Sequence, residues 1–375
     1  MVRYAWQIEV QIFNNKLFSM NLFRFQQLAG YHCRSLVPVR YTACAFIEVM
    51  LYINTTQGNL KTMWQKLMIY LARNEKIKSF FQSRKKLSQL ASKFVGGKDE
   101  TEALNKDKSL ISENVYTSLF YLGEYVSDLK VVDKTMDSLL KISEMLSRSG
   151  LDIHISVDPT QVGLQIDKTI CFFNLTKLAE KIKENTTDKH KKSNKCFLMI
   201  DMEDGSVCED TITFYNQLIK KDLPIGLTLQ AYLHRTEKDL QKTISNGGSV
   251  RLVKGAFAEN RKIALTSKKE INQAFYNQSK MMLSPEAKKS GFYPIFATHD
   301  DQMVDKINRI ASENNWAKYE YEFEMLYGVR IDYQKKLVKE GYKLRLYLPY
   351  GKDWWAYAIR RVGENPKNIK YLLRN

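Results

Sequence analysis

Near its C-terminus the chain places Tyr357, Arg360, Arg361 and Glu364 at i, i+3, i+4 and i+7, one face of a helix. Two adjacent guanidiniums suit a carboxylate ligand, because each stays charged and offers a planar fork of donors. The same spacing fits a surface arginine pair with Glu364 as its salt-bridge partner, and spacing alone does not separate the two. A larger set of polar residues follows short β-rich runs: Asp201, Glu203 and Asp204, then Gln230 and Tyr232, Arg251 and Lys254, Thr298, His299 and Asp300, Glu322, Glu324 and Tyr327, Tyr347 and Tyr350. Acids, cations, an imidazole and phenols gathered at one rim can bind, orient and exchange protons with a polar ligand. Each alone is equally at home on a solvated loop; their convergence carries the reading.

That convergence needs a fold that brings strand ends together. Strand-like runs fall at Val115–Leu122, Asp152–Val157, Cys196–Met202, Gly226–Leu233, Ser249–Phe257, Tyr293–His299, Tyr319–Tyr327 and Lys343–Tyr350. Helical periodicity lies between them, at Asp133–Ser149, Leu175–Glu184, Asp210–Lys221, Glu237–Ile244, Lys262–Met282, Asp301–Asn314 and Asp332–Glu340. Such an alternation of eight strands with helices over about 260 residues is the signature of an α/β (βα)8 barrel, whose chemistry sits at the C-terminal strand ends. A doubly wound sheet competes, but no GxGxxG follows a strand. The expected organisation is an unassigned extension over 1–58, basic helices over 59–112 and the barrel over 113–375.

Composition narrows the class. The chain has 375 residues, 44% hydrophobic and 26% charged, which excludes a disordered or collagenous protein. No apolar run approaches the roughly 18–20 residues of a membrane span, and the N-terminus lacks the pattern of a secretory signal. Cys33, Cys44, Cys171, Cys196 and Cys208 form no CxxC pair, and the five histidines show no HxxxH spacing, so free thiols and no zinc site are expected. The net charge of +17 favours anionic partners. Residues 60–95 hold nine basic residues and one acid, with Met63, Trp64, Leu67, Met68 and Leu71 at helical spacing. Such a helix can pack on the main domain or lie on a membrane surface. No nucleic-acid signature is present.

Across about residues 90–370 the chain resembles the monofunctional bacterial proline dehydrogenases, whose catalytic core recurs in the bifunctional proline-utilisation flavoenzymes. The matching stretches are Leu122-Gly123-Glu124, Ile155-Ser156-Val157, Thr160-Gln161-Val162-Gly163-Leu164, Ile200-Asp201-Met202-Glu203-Asp204, Leu229-Gln230-Ala231-Tyr232-Leu233, Arg251-Leu252-Val253-Lys254-Gly255-Ala256, Ala297-Thr298-His299, Leu326-Tyr327-Gly328, Tyr347-Leu348-Pro349-Tyr350-Gly351 and Tyr357-Ala358-Ile359-Arg360-Arg361. The resemblance implies a distorted (βα)8 barrel that binds FAD without a Rossmann domain. It implies oxidation of L-proline to Δ1-pyrroline-5-carboxylate, with electrons passed to a membrane quinone. Arg360 and Arg361 would hold the substrate carboxylate, Glu124 would pair with them, and Tyr347 and Tyr357 would line the substrate ring. Asp201 and Arg251 would belong to the catalytic polar network. Met202, Gln230, Arg251, Val253, Lys254, Gly255, Ala256, Thr298, His299 and Glu364 match flavin-contacting positions. A quinone acceptor would give the 60–95 helix a purpose at the cytoplasmic face of a membrane, or at the mitochondrial inner membrane in a eukaryote.

The sequence also departs from that pattern. Asp158 stands where a substrate-site lysine is usual, Phe257 where a tyrosine is, and Glu324 where a glutamine is common. Asp158 adds an anion near Asp201, so one carboxylate must hold a proton more tightly or turn outward. Three other readings stay open: a flavoprotein detuned or acting on another cyclic imino acid, a flavin-free barrel using Lys254 as a Schiff-base lysine, and a basic nucleic-acid-binding protein.

Overall fold

The computed structural model describes residues 93–123, 126–187, 196–257, 259–355 and 357, all within one compact unit spanning 68–375. Glu124, Arg360, Arg361, Glu364, the 1–58 extension and nearly all of the 60–95 basic stretch lie outside the described residues.

Within them, eight parallel strands close into a barrel in chain order. These are β1 (Tyr116–Tyr121), β2 (His154–Val157), β3 (Phe197–Ile200), β4 (Ile225–Gln230), β5 (Ser249–Val253), β6 (Tyr293–Ala297), β7 (Glu322–Leu326) and β8 (Leu344–Tyr350). The seam is the longest pairing, running from Tyr116 opposite Arg345 to Tyr121 opposite Tyr350. Helix α1 (Glu100–Ile111) precedes the barrel, and α2 (Leu129–Arg148), α3 (Lys168–Asn185), α4 (Cys208–Ile219), α5 (Thr236–Ser245), α6 (Lys268–Met282), α7 (Pro285–Ser290), α8 (Asp301–Glu313) and α9 (Ile331–Lys339) alternate with the strands. No helix among the described residues is long and apolar enough to cross a membrane.

All eight expected strands are present, though several stop short of the expected C-terminal end. β4 ends at Gln230 rather than Leu233 and β5 at Val253 rather than Phe257. Beyond those points the chain turns outward to form the rim. Helix α6 begins at Lys268, not Lys262, because the preceding segment is claimed by other bonds: Ala264 bridges Leu233, and the Leu265 amide donates to the Tyr232 carbonyl. Ser267 then caps the helix, its Oγ accepting from the Glu270 amide. Asp99, Asp128, Asp167, Ser284 and Asp300 cap their helices in the same way.

Alternate strand positions face helices or barrel axis. Leu198, Ile200, Leu227, Leu229, Val250, Leu252, Phe296 and Phe323 pack outward into the main apolar core, where they are all but fully buried. The inward set is different. Phe197, Met199, Tyr293 and Ile295 form a small separate apolar cluster, and Phe120 packs on Tyr347, but most of the remaining lumen is polar: Ser118, His154, Ser156, Thr228, Arg251, Glu322, Glu324, Arg345 and Tyr347. Barrel interiors are ordinarily filled by branched aliphatic residues. Here ionic layers take their place, and every charge in them must find a partner.

The layer nearest the N-terminal strand ends centres on Arg345, which is 0% exposed. It donates from Nε to Glu322 Oε1 at 2.8 Å and from Nη1 to the Thr117 carbonyl at 2.6 Å, and it lies 3.6 Å from Asp152. Lys343 sits 3.6 Å from Glu322 on the same side. This cluster ties β7, β8, β1 and the approach to β2 together at the seam.

Candidate functional site

At the opposite end, Asp201 follows β3 directly and is 9% exposed. Its Oδ1 accepts from Thr228 Oγ1 at 2.8 Å and from Arg251 Nη1 at 2.5 Å; its Oδ2 accepts from Tyr347 Oη at 2.9 Å. Three strands, β4, β5 and β8, therefore fix one carboxylate in orientation. Arg251 is 3% exposed, and all five of its N–H donors are engaged. Nε donates to Glu324 Oε2 at 2.8 Å, Nη1 to Asp201 and Thr228, and Nη2 to Ser118 Oγ and Ser156 Oγ at 3.0 and 2.8 Å. Its guanidinium carbon lies 5.2 Å from the Tyr347 ring centroid. Arg251 is thus a hub spanning the lumen, and a flavin contact by this guanidinium requires it to give up one of these bonds.

The electrostatics follow from enclosure. Burial would lower the Arg251 pKa, but Glu324 and Asp201 beside it hold it above its ordinary value. Tyr347 is pushed well above the usual phenol range by burial first and by the charges of Asp201 and Asp158 next, so it stays a hydrogen-bond donor. Asp158 lies 9% exposed at the start of the 3-10 turn Pro159–Val162, buried rather than out in solvent.

The turn carrying Asp158 is anchored by a residue that sequence reasoning noted only as a rim acid. Glu203, 3% exposed, accepts from the Thr160 amide at 2.9 Å and from Thr160 Oγ1 at 2.5 Å. The Glu203 carbonyl in turn accepts from Gln230 Nε2 at 2.7 Å. The β2, β3 and β4 ends are thereby one hydrogen-bonded unit.

Apart from Arg251, and from Glu364 outside the described residues, the positions matched to flavin contacts run from the end of β3 at Met202 along the ends of β4, β5 and β6. Met202 and Gln230 are buried, and the Val253 carbonyl accepts from the Ala231 amide. Lys254 Nζ pairs with Asp300 Oδ2 at 2.9 Å, an arrangement that occupies the ammonium a Schiff-base reading would need free. Gly255 has φ +105°, and a Cβ there would come within 2.3 Å of the Tyr232 ring, so glycine is required for the chain to turn under that ring before Ala256. Thr298 Oγ1 accepts from the Asp300 amide at 3.2 Å, and His299 Nε2 accepts from the Leu326 amide at 3.3 Å. Phe257 ends this segment. An amide, a lysine, a hydroxyl and an imidazole along one arc suit a cofactor with a hydrogen-bonding ring and phosphates, while the acid-and-tyrosine arc from β8 to β3 faces it. The residues fit FAD in the chemistry of their donors.

Tyr357, 5% exposed, is buried, as are Trp354 and Trp355 just before it, whose rings meet edge to face at 6.0 Å. The structure unites Asp201, Arg251 and Tyr347 directly, and buries Asp158 at the end of β2. Ser118, Ser156 and Thr228 complete the group. These small hydroxyl residues carry no distinctive spacing; the only signal available was their period-two placement on strands, facing the lumen.

Comparisons with known proteins agree with this geometry. The proline dehydrogenase family model matches residues 103–373. Proline dehydrogenase 2 of Bacillus subtilis (strain 168) is 35% identical over 76% of this chain and 89% of its own length. Proline dehydrogenase 1 of the same strain is 30% identical over 83% and 98%, and the Deinococcus radiodurans proline dehydrogenase is 28% identical over 83% and 97%. Among solved structures, proline utilization A from Bdellovibrio bacteriovorus, inactivated by N-propargylglycine, superposes with a TM-score of 0.71 at 24% identity. That likeness concerns the fold, and covers 87% of this chain but 38% of the longer one. With the barrel, its polar mouth and a family match over most of the length, the chain belongs to the proline dehydrogenase family of oxidoreductases.

Proposed function

We propose that the protein oxidises L-proline to Δ1-pyrroline-5-carboxylate with FAD as the bound cofactor and a membrane quinone as the final acceptor. The observation that carries this reading is the Asp201–Arg251–Tyr347 cluster, a fixed carboxylate between two donors at the barrel mouth. In the reaction the ring carbon next to nitrogen loses a hydride, the nitrogen loses a proton, and a C=N bond forms. FAD, when bound, supplies the hydride acceptor. Asp201 and Tyr347 fix one wall of the substrate site, and Tyr357 another. Arg360 and Arg361, with Glu124 as their partner, hold the proline carboxylate. Met202, Gln230, Val253, Lys254, Gly255, Ala256, Thr298, His299 and Glu364 hold the cofactor. Preorganised polar groups of this kind act without reorganising during the reaction. The basic residues of 60–95 bring the enzyme to the membrane surface where a quinone resides.

Yellow colour in the purified protein and reduction of an artificial dye by L-proline test the proposal together. A colourless chain that takes up no FAD, or a yellow one that no cyclic imino acid reduces, would overturn it.

Asp158 favours a second form of the same reading, in which the site is detuned or prefers another imino acid. Asp158→Lys is expected to raise kcat/KM for L-proline about tenfold, some 1.4 kcal/mol of barrier. Steady-state rates across proline, hydroxyproline and pipecolate check it, and unchanged values for all three would place Asp158 outside the reacting network.

A further inference from the structure

The lumen poses a charge problem at Arg251. One guanidinium faces two carboxylates, Asp201 at 2.5 Å and Glu324 at 2.8 Å, and all three groups are enclosed. The two acids are held unequally. Asp201 accepts from Arg251, Thr228 and Tyr347. Glu324, 2% exposed, accepts one bond at Oε2, and its Oε1 has no hydrogen-bond partner among the described residues. A buried carboxylate with one bare oxygen is costly as an anion and much cheaper as a neutral acid.

We propose that Glu324 is a positioning residue that acts through a proton: protonated, it leaves the charge of Arg251 to Asp201 and the barrel mouth, and deprotonated, it draws that charge back into the lumen. The kinetic part rests on the function proposed above; the proton itself does not.

The groups around Glu324 are consistent with this exchange. Arg251 faces it from β5, Arg345 lies opposite it in register on β8, and Glu322 is two residues away on its own strand. Its β6 neighbour in register is the uncharged Ala297. Across the guanidinium lie Asp201 and Tyr347, and Ser118 and Ser156 close the circle, with His154 Nδ1 at 2.9 Å from Ser118 Oγ. Burial is the largest influence on Glu324, and although Arg251 opposes it, the carboxyl is raised to about 7. A raised carboxyl stabilises the fold while protonated, so that contribution is present in acid and is lost as the pH rises through about 7.

Infrared difference spectroscopy of the holoenzyme between about pH 6 and 8 reads the proton directly, as the carbonyl stretch of a neutral carboxyl. Asp107 is also pushed up by burial, to about 6, so Asp107→Asn is the background in which the band is sought. The expected result is a band that titrates near neutral pH in Asp107→Asn and vanishes when Glu324→Gln is added. In parallel, kcat/KM for L-proline should fall on the order of tenfold per pH unit above that ionisation, and Glu324→Gln should remove the fall. A glutamine keeps the acceptor for Arg251 Nε, so a purely structural role would leave the ionisation in place. Retention of the band in Glu324→Gln, or of the kinetic ionisation, would overturn the proposal. If Glu324→Gln does not fold, absence of any titrating band in Asp107→Asn overturns it alone. Failure of the unmodified enzyme to oxidise proline would refute the proposed function instead, with the infrared result still deciding the proton.

Discussion

Arg251→Met is expected to cost about 3–5 kcal/mol of stability and to lower kcat/KM for L-proline by at least about a thousandfold. Both effects come from the same bonds. The guanidinium satisfies Glu324, Asp201, Ser118 and Ser156 from four strands, all in an enclosed lumen. Methionine fills part of the volume and returns none of the donors, so two enclosed carboxylates lose the cation between them. The Tyr347 ring loses the charge stacked near its face. Arg251→Lys should recover little of either loss, because one ammonium cannot donate in the four directions a planar guanidinium reaches. Urea unfolding and dye-coupled rates measure the two quantities separately. A rate within tenfold of the unmodified enzyme would show that Arg251 supports the barrel without shaping the mouth.

The second large effect concerns the other end of the lumen. Arg345→Met should destabilise the barrel by about 3–5 kcal/mol, the usual cost of removing one partner of a buried ion pair. Glu322, itself 0% exposed, is left with Lys343 at 3.6 Å as its nearby cation, and the Thr117 carbonyl at the seam loses its donor. Adding Glu322→Leu to Arg345→Met should restore most of the loss, because an apolar pair of similar volume carries no desolvation penalty. Denaturant midpoints for the two single variants and the double variant test this as a cycle. If the double variant is as unstable as the sum of the single ones, the cluster serves packing rather than charge balance. Since Arg345 has no hydrogen bond to Asp201 or Tyr347, under the function proposed above the folded fraction of Arg345→Met should take up flavin to the same extent as the unmodified chain.

The contrast between these two arginines marks the boundary of what reading the chain can achieve. Arg251 sits within Arg251-Leu252-Val253-Lys254-Gly255-Ala256, a stretch whose family resemblance announces it, whereas Arg345 lies in a β-rich run with nothing to set it apart. The β-rich runs are enough to place eight strands, and the structure shows why Leu198, Ile200, Leu227 and Leu229 are apolar, because burial against helices selects apolar residues at every second position. The rim that Asp201, Gln230, Lys254 and His299 share follows from the same strand pattern once closure into a barrel is assumed, although the points where the strands stop do not.

Strand ends were harder, as at β4 and β5, because the residues beyond Gln230 and Val253 remain apolar while their backbone bonds go elsewhere. Partnership was not legible at all. That Ser118, Ser156, Thr228, Glu324 and Tyr347 converge on Arg251 and Asp201 depends on barrel closure, which joins β1 to β8 across more than two hundred residues. Residue types and periods along the chain determined that eight strands alternate with helices and which polar residues gather at their ends; only the closed tertiary structure decided which side chains face the lumen and which of them meet, because charge pairing across a lumen is set by distance in space and leaves no spacing in sequence.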